Sequence, residues 1–88
     1  MLKRIRIGVK IMPRDVILDT QGRAIEQSLK LNQMPVSQAR VGRFVELDFD
    51  LEPELAMKRA TEIASKLLCN PLIETFELKM EASPAGKA

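Results

Sequence analysis

Arg4-Ile5-Arg6-Ile7-Gly8-Val9-Lys10-Ile11-Met12 is the stretch that decides the fold. Ile5, Ile7, Val9 and Ile11 fall on one side of an extended chain, and Arg4, Arg6, Gly8 and Lys10 on the other. A period of two marks a strand with one buried and one solvated face. Pro13 has no N–H to give a ladder and ends the strand, leaving Arg14 to Leu18 as a connection. Asp19 or Thr20 then caps a helix whose positions Ala24, Ile25, Ser28 and Leu29 recur at helical spacing. That helix runs to about Leu31, where Asn32 to Pro35 break it.

Alternation returns in the middle of the chain, with Val45, Leu47, Phe49 and Leu51 set against Phe44, Glu46, Asp48 and Asp50. Carrying the phase backwards puts Arg43 on the apolar side beside Val41. Gly42 therefore reads as a bulge or tight turn between a short strand at 36–41 and a longer one at 43–50. Pro53 suits the first turn of a second helix, along which Ala56, Ala60, Ile63, Ala64 and Leu67 form the apolar face until Asn70-Pro71 stops it. A last strand, Leu72 to Glu81, turns Leu72, Phe76, Leu78 and Met80 inward, with Glu74 the exception on that side. Residues 1–81 thus read as one domain, and 82–88 as a flexible C-terminal tail with nothing to bury.

This order predicts an α+β domain: two helices on one face of a mainly antiparallel, three- to four-stranded sheet, in the ferredoxin-like sequence β-α-β(β)-α-β. Charge orders the strands. The first is basic on its polar side, whereas the middle and last offer Glu46, Asp48, Glu77 and Glu81. Opposite charges across neighbouring strands are favourable, so the first strand belongs in the centre. The sheet's other face has no helix to cover it, and with Phe44, Ile73 and Thr75 among charges it is a candidate interface.

The chain has 88 residues, 14 basic and 12 acidic, with 45% hydrophobic and 3% aromatic residues. Leu, Ile, Val and Phe make up 26 of the 88, enough for a core. A domain this short is marginal by itself, and association is the usual remedy. The absence of His and the single Cys69 exclude an intrachain disulfide, a His/Cys zinc site and an imidazole base. Cys69 reads as a small buried apolar side chain, and the acidic run from Glu46 to Glu54 as a solvated edge rather than a metal site. Three Phe, two of them assigned to the core, leave no stacking platform for bases, so no nucleic acid is expected. No apolar run reaches the length of a bilayer span, so no membrane association is expected and a cytoplasmic location is. Arg40 and Arg43 flank Gly42, an arrangement suited either to a partner's carboxylates or phosphates or to an ordinary solvated turn.

Three segments carry a resemblance. Leu18-Asp19-Thr20-Gln21-Gly22, Arg40-Val41-Gly42-Arg43 and Lys66-Leu67-Leu68-Cys69-Asn70-Pro71-Leu72-Ile73-Glu74 follow one another at the spacing of the Leu-Asp-Pro-Gln-Gly, Arg-x-Gly-Lys and Lys-Leu-Leu-Ala-Asn-Pro-x-Ile-Glu patterns. In this the chain resembles the PurS family, small subunits of phosphoribosylformylglycinamidine synthase, over roughly residues 5–80. Thr20 stands where the family has Pro, Arg43 where it has Lys and Cys69 where it has Ala. Thr20 can still begin a helix, while Arg43 keeps the charge and changes the donor geometry.

The resemblance implies a non-catalytic subunit in de novo purine synthesis. It would bridge the PurQ glutaminase and the PurL synthetase, support ammonia transfer between them, and self-associate as a homodimer or homotetramer. No cofactor is expected on this chain, ATP and Mg belonging to the synthetase subunit. Asp19, Gln21, Gly22, Arg40, Gly42 and Arg43 are then candidate partner-binding residues. Replacing Arg40 and Arg43 by Ala is expected to weaken assembly without unfolding the chain. Against this stand a ferredoxin-like oligomer that senses a small metabolite, an enzyme in its own right, and an RNA-binding module.

Overall fold

The computed structural model describes residues 4–82. Its elements are β1 (Ile5–Pro13), α1 (Thr20–Leu31), β2 (Arg43–Phe49), α2 (Pro53–Ile63), which continues into a π-helical turn (Ala64–Leu68), and β3 (Glu74–Ala82). β1 lies in the centre of a three-stranded sheet of order β2-β1-β3, antiparallel to both neighbours. The α+β class and the central place of the basic strand are as the sequence predicts. Arg6 stands opposite Asp48 on one side and Glu81 on the other, and Lys10 opposite Glu77. Arg6 Nε donates to Asp48 Oδ1 at 2.8 Å, and its Nη2 to Asp48 Oδ2 at 3.1 Å. That fork holds the Asp48 carboxyl below its ordinary range.

On the other face Ile7, Val9 and Ile11 are completely buried, against Ala56, Ala60 and Ala64, which are buried too. Small residues at every fourth position let α2 lie close over β1. Val45, Leu47, Phe76 and Leu78 close the sides, and Cys69 is buried at the end, as expected for a small apolar side chain.

The helical face slips at its C-terminal end. Leu67, expected inside, is 79% exposed, and Leu68 packs on the core instead. The cause is the π turn: Cys69 N donates to the Ala64 carbonyl at 2.9 Å, and the extra residue rotates the face by one position. Leu72 also lies outside, because β3 begins only at Glu74. Asn70 holds a turn there, its carbonyl accepting from Ile73 N at 3.0 Å and Glu74 N at 2.8 Å, its Oδ1 from Leu72 N at 3.1 Å.

Two further expectations are corrected. Residues 36–41 form no strand. Gly42 alone separates them from β2, too little chain for a hairpin, and the N–H groups of Ala39 and Val41 are taken by side chains of α1. Nor does α1 share the sheet face with α2: its only buried residue is Gly22, and Leu31 is 84% exposed. α1 and the chain returning from it form an arm. The radius of gyration is accordingly 16.6 Å, with extents of 54 × 33 × 15 Å, against about 12 Å for a compact chain of this length. Of the expected tail, Ala82 belongs to β3 and residues 83–88 lie outside the described residues.

The π turn makes a sharp test of neighbouring leucines. Leu68→Ala should lower unfolding free energy by about 1–2 kcal/mol, while Leu67→Ala should change it by less than about 0.5 kcal/mol, both read from urea denaturation.

Candidate partner-binding site

The two segments that carry the candidate residues meet at the root of the arm. Asp19 is the N-cap of α1: its Oδ1 accepts from Gly22 N at 2.8 Å, satisfying an otherwise unpaired first-turn donor. Its Oδ2 turns the other way and accepts from Val41 N at 2.7 Å. One carboxylate thus ties the start of α1 to the entry of β2. The Val41 and Gly22 N–H groups, in that order, hold the Asp19 carboxyl below its ordinary range. A second tie comes one helical turn beyond Gly22, where Glu26 Oε2 accepts from Ala39 N at 2.8 Å.

Gly22 and Gly42 serve close approach, and neither has a positive φ. A Cβ on Gly22 would run into the Ala39 carbonyl oxygen, and one on Gly42 into the carbonyl oxygen of Ile11 and the Met12 sulfur. Gly42 is therefore the point where the returning chain presses on the end of β1, instead of the expected bulge or tight turn between two strands. Gly8 differs. There a Cβ would meet only the end of the Phe44 ring, at 2.5 Å, and that ring is exposed and free to swing.

Arg40 and Arg43 diverge. Arg40 Nη1 lies 3.2 Å from Asp15 Oδ1, and its Nη2 donates to the Pro13 carbonyl. Arg43 grips Glu74, Nη1 to Oε2 at 2.8 Å and Nη2 to Oε1 at 3.1 Å, and its Nη2 also donates to the Leu68 carbonyl at 2.6 Å. Glu74 Oε1 accepts from Asn70 N at 2.9 Å as well. Arg43 first and Asn70 second hold the Glu74 carboxyl below its ordinary range. The twin guanidinium groups read from the sequence are each engaged within the chain, so removing both would loosen the domain as well as any assembly.

Asp19, Gln21, Gly42 and Arg43 border one open concavity of about 530 Å³, to whose wall Leu18 and Glu74 also belong. Arg40 lies outside it, and Gly22 lies buried behind Asp19. Sequence reasoning missed Asp15, Glu26 and Glu74 as partners. For Glu74 a signal existed: it and Arg43 were the charged residues on the apolar side of their strands, and they are of opposite sign. Glu46 and Asp48 of β2 and Asp50 just beyond it are spent on Arg4 and Arg6, Arg4 Nε lying 3.2 Å from Asp50 Oδ1 and Arg6 Nη1 3.8 Å from Glu46 Oε1.

Residues 6–82 match the family model described as PurS, phosphoribosylformylglycinamidine (FGAM) synthase. The chain belongs to the PurS family. It is 38% identical over 81 residues to the phosphoribosylformylglycinamidine synthase subunit PurS of Mycobacterium leprae, an alignment covering 88% of this chain and 96% of that one. The solved PurS of Thermus thermophilus is 34% identical, with a TM-score of 0.78 over 92% of this chain and 99% of the other. A chain of the PurLQS structure from Thermotoga maritima has the same fold, with a TM-score of 0.83, 24% identity and coverage of 91% and 100%. PurS membership assigns the chain to the subunits of that synthase, and the three motifs of its sequence fall at the arm root and at the turn that Arg43 clamps.

Two outcomes follow for this junction. Gly22→Ala and Gly42→Ala should each cost about 1–3 kcal/mol in urea unfolding because they press on backbone, whereas Gly8→Ala should cost less than about 1 kcal/mol. Asp19 and Glu74, with folded values below their unfolded ones, contribute stability that is whole above the ordinary carboxylate range and lost as pH falls through the folded values. Asp19→Asn should therefore flatten the acid limb of the unfolding midpoint between neutral pH and pH about 3; an unchanged limb would show that the tie is absent in solution.

Proposed function

We propose that this chain is the non-catalytic small subunit of phosphoribosylformylglycinamidine synthase, bridging a PurQ glutaminase and a PurL synthetase and supporting the passage of ammonia between them. Formylglycinamide ribonucleotide would be converted on the synthetase, which would hold ATP and Mg, while this chain works self-associated in the cytoplasm. The observation that carries the reading is the family match over residues 6–82, nearly the whole described domain. The solved PurLQS structure, with a chain of this fold in it, supports the partners.

The arrangement of polar groups agrees. Asp19, Arg40, Arg43 and Glu74 hold segments of the chain in place, and the thiol of Cys69 is buried, so the residues in hand fix geometry. Geometry is what ammonia transfer needs. Free ammonia picks up a proton in water at neutral pH and ceases to be a nucleophile, so the two larger subunits must be held where it passes without escaping. No helix among the described residues is long and apolar enough to cross a membrane.

Reconstitution tests the reading. With purified PurL and PurQ, leaving out this chain should reduce glutamine-dependent product formation at least about tenfold and leave the ammonia-dependent reaction within about twofold. Equal glutamine-dependent rates with and without it would overturn the assignment.

A further inference from the structure

The face of the sheet that carries no helix ends in a basic corner. Lys10 and Met12 stand on that face of β1, Thr75 lies opposite Met12 on β3, and Arg14 follows just beyond the strand. Arg40 reaches the same corner from the chain returning from α1, its Nη2 donating to the Pro13 carbonyl. Two hollows of about 150 and 340 Å³ open there. Lys10 and Glu77 border the smaller, Arg14 and Asp15 the larger, and Arg40 and Thr75 border both.

The cations of this corner are placed by the backbone, yet none has spent all its donors within the chain. Arg14 Nε and Nη2 both donate to the Pro71 carbonyl, at 3.0 and 2.8 Å, and Nη1 has no partner among the described residues. Arg40 uses Nη1 on Asp15 and Nη2 on Pro13, leaving Nε. Lys10 Nζ stands 3.9 Å from Glu77 Oε2, beyond hydrogen-bond distance. The exposed Thr75 hydroxyl makes no hydrogen bond to another described residue. Two guanidinium groups already anchored lose little freedom when a ligand arrives.

We propose that this corner binds a phosphate group, free or as the monoester of a small metabolite. The site goes beyond the bridging role and does not depend on it. Arg40 and Thr75, common to both hollows, hold the phosphate, Lys10 and Arg14 flank it, and the larger hollow leaves room for the rest of an ester. A tetrahedral oxyanion presents acceptors in several directions, which suits cations on three separate segments and a hydroxyl. A planar carboxylate is met by a single guanidinium fork. Asp15 and Glu77 are the acids of the corner, with side chains 89% and 78% exposed. Ion pairs so open to water hold weakly, and the anion displaces Asp15 from Arg40.

Titration of the full chain, followed by amide chemical shifts at constant ionic strength, tests the site. Inorganic phosphate should produce saturable shifts at Met12, Arg14 and Thr75 with half-saturation at or below about 5 mM, and acetate should not. Glycerol phosphate binding at least about threefold more tightly than inorganic phosphate identifies an ester as the ligand, and equal binding identifies free phosphate. Lys10→Gln and Thr75→Val should each weaken binding at least about fivefold. Asp15→Asn, which removes the competitor for Arg40, should tighten it about threefold. Lys79→Gln changes a lysine on the same face, opposite Gly8 and outside both hollows; it should leave binding within about twofold of the parent. An unchanged unfolding midpoint shows that each variant is folded. The site is overturned by shifts that do not saturate by about 50 mM phosphate, by equal shifts with acetate, or by Lys79→Gln losing as much as Lys10→Gln. Weaker binding by Asp15→Asn overturns it too. The reconstitution assay reads bridging separately, so either result leaves that role to its own test.

Discussion

The fold hangs on three β-branched side chains of β1 meeting three alanines of α2. Two residues of strand advance about 6.6 Å and four residues of helix about 6.0 Å, so Ile7, Val9 and Ile11 keep step with Ala56, Ala60 and Ala64 along the whole contact. The alanines set the distance, and the strand fills it. Because β1 is central, this one contact fixes the plane of the sheet, and β2 and β3 are positioned through their ladders to it. Among the described residues, Ile7, Val9 and Ile11 are also the only large side chains fully removed from water. A core so small leaves much apolar surface outside, on the arm at Ile25, Leu31, Met34 and Val36 and elsewhere at Val16, Leu18, Phe44, Leu67 and Leu72.

Around this core, charges act as ties between segments of the chain. Asp19 holds two backbone N–H groups with one carboxylate, Glu26 holds a third, and Arg43 with Glu74 joins the start of β2 to the end of the π turn and the start of β3. Each tie spans segments far apart in sequence, so together they set the direction in which the arm leaves the sheet. In the role proposed for the chain, holding larger partners in register, such fixed geometry counts for more than any reactive group.

The strands and their order were legible because alternation and charge are local properties: Arg6 between Asp48 and Glu81 is visible as soon as the polar faces are compared. The candidate residues were legible as motifs, and the structure does bring Asp19, Gln21, Gly42 and Arg43 to one concavity. What they do there was not legible. Arg40 beside Gly42 and Arg43 reads as a pair aimed outward, yet one guanidinium turns to Asp15 and the other to Glu74. Directions of neighbouring side chains depend on acceptors 25 to 31 residues away, and no spacing rule encodes them.

The sequence by itself determined the class, the central strand, the cap at Asp19, the alanine face of α2 and the family likeness, because each is written in residues close along the chain or in motifs at set spacing. Only the tertiary structure decided that α1 leaves the sheet, that residues 36–41 stay outside the ladder, and that the helical face shifts from Leu67 to Leu68. In each of those cases backbone groups had a choice of partners. The Ala39 and Val41 N–H groups went to carboxylates, and the Cys69 N–H went to the Ala64 carbonyl. Such choices are settled by which acceptors arrive in three dimensions, and a linear pattern of apolar and polar residues does not carry that information.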